Sequence, residues 1–321
     1  MNPFNEIGGY LGAEPYTGCH GEYYPDAVAL NTARNALVYA VRARGIRRLR
    51  IPAYLCDSVS LVCDREHIPY EYYHTGADLR PVIDRPPEPD EYLYVVNLYG
   101  QLSNEELAAL RDRYDRVIVD NIHAFYQPPI KGADTIRSCR KFFGVPDGAY
   151  LVTDTLLPDD LPTDVSDGRT SHIYGRLRDG ATAHYAEFRA NDDAFEQLPL
   201  MRMSELTHRM LSVIDYERVK RIREENFACL HRLLGSRNGL KLRMPEGPYA
   251  YPFLCENGPR VRKYLASRKI YVATLWPNVP EIGNDTERYC AENILPLPCD
   301  QRYGAEEMQI IAEELEYVRK S

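Results

Sequence analysis

A chain of 321 residues is longer than one small core requires and predicts a large domain joined to a smaller one. Hydrophobic residues make up 44% and charged residues 27%, and 39 basic against 47 acidic side chains leave a net charge of -8, which argues against nucleic acid as a partner. No apolar run reaches membrane-spanning length, Met1 to Tyr10 has no basic stretch followed by an apolar one, and the eight cysteines (19, 56, 63, 139, 229, 255, 290 and 299) form no CxxC pair; the expectation is a cytoplasmic protein with free thiols, no metal centre and no membrane.

Residues 1–25, rich in Gly, Tyr and Pro, read as an irregular arm. Helical periodicity begins at Asp26 and places Ala36, Leu37, Ala40 and Val41 on one face. Arg48 to Ile51 reads as a short strand, Ser58 to Arg65 as a helix and Tyr70 to Tyr73 as a strand. The four prolines of 81–90 make a loop. Tyr92 to Asn97 suits a buried parallel strand. Ser103 stands at capping-box spacing from Glu106 and opens a helix reaching Tyr114. Arg116-Val-Ile-Val-Asp120 is a second buried strand, ending in a carboxylate. Ala149 to Thr153 is another strand, and 157–170 a mobile loop. One long helical stretch runs from Ser204 to Leu234. After Gly235 come strands at Ala250 to Leu254, Ile270 to Ala273 and Ile294 to Leu297, with helices at Arg260 to Arg268 and Glu306 to Arg319.

This alternation predicts an α/β protein with a mainly parallel sheet. The division expected is an arm (1–25), a large domain (26–203), and a long helix with a smaller C-terminal α/β domain (204–321).

Four segments could carry chemistry. Asn31-Thr-Ala-Arg-Asn-Ala-Leu37 opens a helix, whose N-terminal N–H groups suit an anion, although any helix offers as much. Asp120-Asn-Ile-His123 follows a strand, where ligands bind in open α/β sheets. Its carboxylate could pair with a protonated ring nitrogen, or simply cap a turn. Asn97-Leu-Tyr-Gly100-Gln101 would border the same cleft. In Ser138-Cys-Arg-Lys141-Phe-Phe-Gly144-Val-Pro-Asp-Gly148, the phenylalanine pair would desolvate Lys141 and favour it as a Schiff-base nucleophile, with Gly144 and Gly148 returning the backbone past a ligand. An exposed loop lysine is the plainer alternative.

In this order the segments resemble the DegT/DnrJ/EryC1/StrS aminotransferase family over roughly residues 20 to 320. Ala33-Arg-Asn-Ala36-Leu37 is similar to its Gly-Thr-x-Ala-Leu phosphate loop, and Asn97-Leu-Tyr-Gly100 to its His-Leu-Tyr-Gly motif. Asp120-Asn-Ile-His123-Ala124 matches its Asp-x-Ala-(Gln/His)-Ala motif. Lys141 with Gly148-Ala149 matches the Schiff-base lysine and its later Gly-Gly, and Arg202-Met203-Ser204 the Arg-Met-Ser segment.

The resemblance implies fold type I of the transferases dependent on pyridoxal 5'-phosphate (PLP), and a homodimer that moves an amino group, usually from glutamate, to a keto-sugar nucleotide for surface polysaccharide. Lys141 would carry the Schiff base and shuttle a proton. Asp120 would pair with the pyridinium nitrogen, and His123 would lie near the ring and its O3′. Ala33, Arg34 and Ser138 would hold the phosphate, and Cys56 stands where the stacking aromatic is expected. Arg34 replaces the usual Thr, Ile136 the usual Ser and Leu200 the Asn that reaches a partner's phosphate. These departures leave two alternatives open: a PLP enzyme of another reaction type, or an inactive binding or scaffold protein of the same fold.

Overall fold

Short runs of Val, Ile, Leu and Tyr alternate with capped helices through the first half of the chain. The computed structural model describes residues 6–14, 16 and 18–320. The elements are β1 (Ile7–Gly8), β2 (Val28–Leu30), α1 (Ala33–Arg44), β3 (Arg48–Pro52), α2 (Ser58–Arg65), β4 (Tyr70–Thr75), β5 (Pro81–Val82), β6 (Glu91–Val96), α3 (Asn104–Tyr114), β7 (Val117–Asp120), β8 (Asp134–Ser138) and β9 (Ala149–Val152). Then come α4 (Ser171–Asp179), α5 (Tyr185–Ala194), α6 (Glu205–Ser212) and α7 (Tyr216–Leu234). The chain continues through β10 (Tyr251–Leu254), α8 (Gly258–Ser267), β11 (Ile270–Tyr271), α9 (Val279–Ile282), α10 (Asp285–Asn293), β12 (Ile294–Leu297) and α11 (Ala305–Lys320).

Eight strands form one sheet in the order β2-β9-β8-β7-β6-β3-β4-β5. Strands β4, β3, β6, β7 and β8 run parallel. β9 runs against β8, and β2 against β9, so β2 regains the direction of the parallel set. The carboxyl ends of β2, β3, β6, β7 and β8 therefore share one edge. Helix α1 starts there because Thr32 caps it: the threonine hydroxyl accepts the Asn35 N–H at 3.0 Å. The start is later than Asp26, since Val28–Leu30 is spent on an edge strand. The capping box of Ser103 and Glu106 is present at α3.

The expected long helix is two. Val213 and Ile214 continue the apolar pattern, but Asp215 turns the chain and caps α7 by accepting the Arg218 N–H at 2.9 Å. The arm is not wholly irregular either: Ile7–Gly8 pairs in parallel with Ile270–Tyr271, and Ile7 joins the apolar core of the C-terminal unit with Leu230, Phe253, Leu265, Leu297 and Ile311. Among the described residues, that unit holds only two-stranded pairings, β10 with β12 and β1 with β11. No helix among the described residues is long and apolar enough to cross a membrane.

Between the arm and the sheet, one glycine is dictated by space. A Cβ on Gly144 would lie 1.7 Å from the Gly12 carbonyl oxygen, so the arm crosses the chain where a side chain is missing. Gly144 thus makes room for the arm. Gly144→Ala should cost roughly 1–3 kcal/mol in denaturant unfolding. Gly168→Ala, with nothing within 4 Å of its Cβ, should change stability little in the same measurement.

Candidate active site

The sheet's carboxyl edge gathers the candidate residues. Cys56 follows β3, Tyr99 follows β6, Asp120 ends β7, and Ser138 ends β8 with Lys141 in the turn beyond. Asn31 ties α1 to this turn: its carbonyl accepts the Gly148 N–H at 2.7 Å, and its side chain and that of Asn35 both donate to the Pro199 carbonyl. Gly148 has a φ of 114°, the left-handed territory glycine tolerates. Beside it, the buried Asp147 carboxylate accepts from the Ser204 N–H at 2.9 Å, the Ser204 hydroxyl at 2.7 Å and the Thr207 hydroxyl. The Arg202-Met203-Ser204 segment is thereby fastened to the return of the lysine-bearing loop.

Lys141 is exposed, and its side chain lines a cavity of about 820 Å³. The Phe142–Phe143 pair does not cover it. Both rings are buried with Phe125, Tyr150 and Tyr216, and so anchor the turn rather than desolvate the amine. Arg223 braces the same turn from α7, donating to the Phe142 carbonyl at 3.1 Å, to that of Pro248 at 2.9 Å and to the Gln301 side chain at 2.7 Å. The cavity runs from Ser138, Arg140 and Lys141 past Tyr249 to Tyr10, His172 and Phe188.

A group of cations surrounds Asp192. Ala33 and Arg34 form the first turn of α1, where backbone N–H groups have no partner in the helix ladder. The Arg140 guanidinium lies over the Phe195 ring at 4.1 Å and pairs with Asp192 at 3.1 Å. Burial alone would raise the Asp192 carboxyl, but the charges of Arg140, Lys141 and Arg34 hold it below the usual carboxylate range. Asp192 therefore reports that these three cations converge. Ser138 joins them at the cavity wall.

Asp120 and His123 do not line this cavity, and both are buried beside it in reach of the Lys141 charge. Asp120 is buried, accepts from the Tyr94 hydroxyl and the Ile122 N–H at 2.8 Å each, and is pushed up to about 6 by desolvation, with these bonds and the Lys141 charge opposing. His123 is pushed down to about 3, first by burial and then by Lys141, so its ring is neutral. The Tyr99 N–H meets its Nδ1 at 3.5 Å, a long contact that leaves the ring proton on Nε2.

The sequence-derived set thus comes together at one edge, while Cys56 is a partly buried thiol and supplies no ring. Tyr23 packs among Tyr24, Phe125, Tyr126 and Tyr216, and Tyr16 is exposed; neither lines the cavity. Arg140, Tyr249 and His172 were not singled out. Arg140 had a signal, being a second cation directly before the lysine.

No protein-family model matches the sequence, and no curated protein does. Solved structures do. DesV of S. venezuelae, in complex with a ketimine intermediate, has a TM-score of 0.64 at 18% identity, over 92% of this chain and 85% of its own. Helicobacter pylori PseC, an aminotransferase of pseudoaminic acid biosynthesis, gives 0.63 at 13%, over 91% and 86%. A DegT DnrJ EryC1 StrS aminotransferase from Brucella abortus gives 0.62 at 13%, over 91% and 85%. The chain has fold type I, as built in the DegT/DnrJ/EryC1/StrS aminotransferases.

A folded carboxyl near 6 exceeds the unfolded value of about 4. Asp120 therefore contributes stability that is greatest below pH 4 and is lost as pH rises through about 6. Asp120→Asn should flatten that part of the melting-temperature profile of the cofactor-free protein between pH 4 and 7.

Proposed function

We propose that this chain is a PLP-dependent aminotransferase, moving an amino group from glutamate to a keto-sugar nucleotide destined for surface polysaccharide. One observation carries the reading: Lys141 stands on the wall of a cavity beside Ser138 and the Arg140 guanidinium, and its charge acts on the buried Asp120 carboxylate. The residues fit the cofactor. Asp120 matches a protonated ring nitrogen, since that cation would offset the desolvation that now pushes its carboxyl up. Arg34, Arg140, Ser138 and the first turn of α1 at Ala33 match a phosphate. The neutral His123 keeps an N–H donor for a ring oxygen, and Cys56 leaves a thin apolar flank.

When bound, PLP supplies an electron sink for charge developing on the substrate carbon. Lys141 would hold it and would carry the proton between carbon atoms as a general acid and base. Asp120 would keep the ring nitrogen protonated. The remaining cavity wall, with Tyr10, His172, Tyr185 and Phe188, receives the substrate.

The known structures support this reading: Spr1654 of Streptococcus pneumoniae, a sugar aminotransferase by description, is solved in PLP and PMP forms, and DesI with its TDP-sugar product. A homodimer belongs to the proposal. Leu156, Val165, Tyr174, Leu177 and Tyr185 are exposed within one segment, and a second copy would cover them. A cytoplasmic site of action follows from the substrate class.

Purified protein given PLP should develop the visible absorbance of a lysine-bound cofactor, and Lys141→Ala should abolish it; a wild-type protein that never absorbs would sink the proposal. Glutamate should then convert the spectrum to that of the pyridoxamine form. A bound cofactor inert to glutamate would point to another reaction type. Arg140→Ala should weaken PLP binding by roughly tenfold or more, the worth of a charge-assisted hydrogen bond, in a spectrophotometric titration.

A further inference from the structure

His123 is gripped from the C-terminal unit. Its ring stacks on Tyr249 at 4.2 Å and 7°, and the Trp276 ring lies 5.9 Å away at 26°. Trp276 also meets Tyr54 edge-on at 4.6 Å and Tyr99 at 6.0 Å. Tyr249 precedes β10 and Trp276 follows β11, so both reach the sheet edge from outside the large sheet. Trp276 has a φ of 60°, rare for a bulky residue and held only where surroundings over-determine it. Two residues on, the Asn278 side chain donates to the Leu55 carbonyl at 2.9 Å, which pins the segment beside Cys56.

We infer that Tyr249 and Trp276 form an aromatic clamp on His123, positioning residues that fix the plane of its imidazole so that its remaining N–H stays available to the ring oxygen of a cofactor held by Lys141. The inference rests on the proposed PLP site. Its physical content is that the imidazole has one weak hydrogen bond of its own, at 3.5 Å to the Tyr99 N–H, and is otherwise oriented by ring packing. Titratable groups around the ring are Lys141, Tyr99 and Tyr249.

A donor on the ring oxygen stabilises its negative charge without help from the neighbouring proton. It therefore lowers the pH at which that proton leaves the bound cofactor. In the PLP-loaded protein, His123→Ala should raise the midpoint of the visible band's pH titration by about 0.5–1 unit, the equivalent of one hydrogen bond. Trp276→Leu should raise it similarly, Trp276→Phe should leave it near wild type, and the His123→Ala/Trp276→Leu double variant should shift no further than either alone.

A Trp276→Leu titration like wild type, or additive shifts in the double variant, would overturn the clamp. Tyr249→Leu serves the same comparison should Trp276→Leu fold poorly. A second readout needs no cofactor: by NMR, the His123 imidazole should titrate near 3 in wild type and move toward its ordinary value in Trp276→Leu, as the ring gains water. An unmoved titration counts against the clamp. If no visible band forms in wild type, the cofactor reading fails, and the imidazole titration still decides whether the clamp exists.

Discussion

Arg223 is a wholly buried guanidinium at the junction of everything else. Among the described residues no carboxylate pairs with it, and it donates to the carbonyls of Phe142 and Pro248 and to Gln301, with the Phe142 ring 4.6 Å beneath it. A charge taken out of water is costly unless its donors are met, so these partners are held to narrow geometry. One partner is in the lysine-bearing turn, one adjoins Tyr249, and one lies beyond β12. The spacing between Lys141, the clamp and the C-terminal unit is therefore set by where a single cation can find acceptors. Gln301 extends the arrangement, since its amide donates to the same Phe142 carbonyl and to Glu14 of the arm.

Much of the parallel sheet was legible because its strands are apolar on both faces. Val117–Asp120 and Glu91–Val96 stand out as buried runs bounded by turn residues, and the Ser103–Glu106 box announces α3. Strand β8 did not stand out. Asp134-Thr-Ile-Arg-Ser reads as polar, yet all five residues are buried. Asp134 pairs with Arg44 at 2.6 Å from far along the chain, and Arg137 donates to the carbonyls of Phe125 and Gln127 under the Tyr24 ring. Helices α4 and α5 were missed for the opposite reason, since several of their apolar residues face outward. The break at Asp215 was hidden by apolar periodicity running straight through Val213 and Ile214.

The site divides in the same way. Residues fixed by strand ends, Asp120 and Lys141 among them, could be placed by counting from the strands. Residues that converge only through tertiary packing could not. Arg140 gains meaning from Asp192, Tyr249 and Trp276 from the imidazole between them, and no local pattern encodes either meeting. The phenylalanine pair shows the reverse error: adjacency to Lys141 suggested a dry amine, whereas the rings turn into the core and leave it facing open volume.

The pairing of Ile7–Gly8 with Ile270–Tyr271 joins the first described strand to one near the chain's end. Such a contact closes a very long loop and forms late in folding. On the ribosome, the arm waits for most of the chain before it has a strand to join. The wall that Gly8, Gly9 and Tyr10 give to the cavity is absent until then. Synthesis therefore makes the lysine and its carboxylate well before it encloses them, and a nascent chain carries an open edge where the finished protein has a chamber.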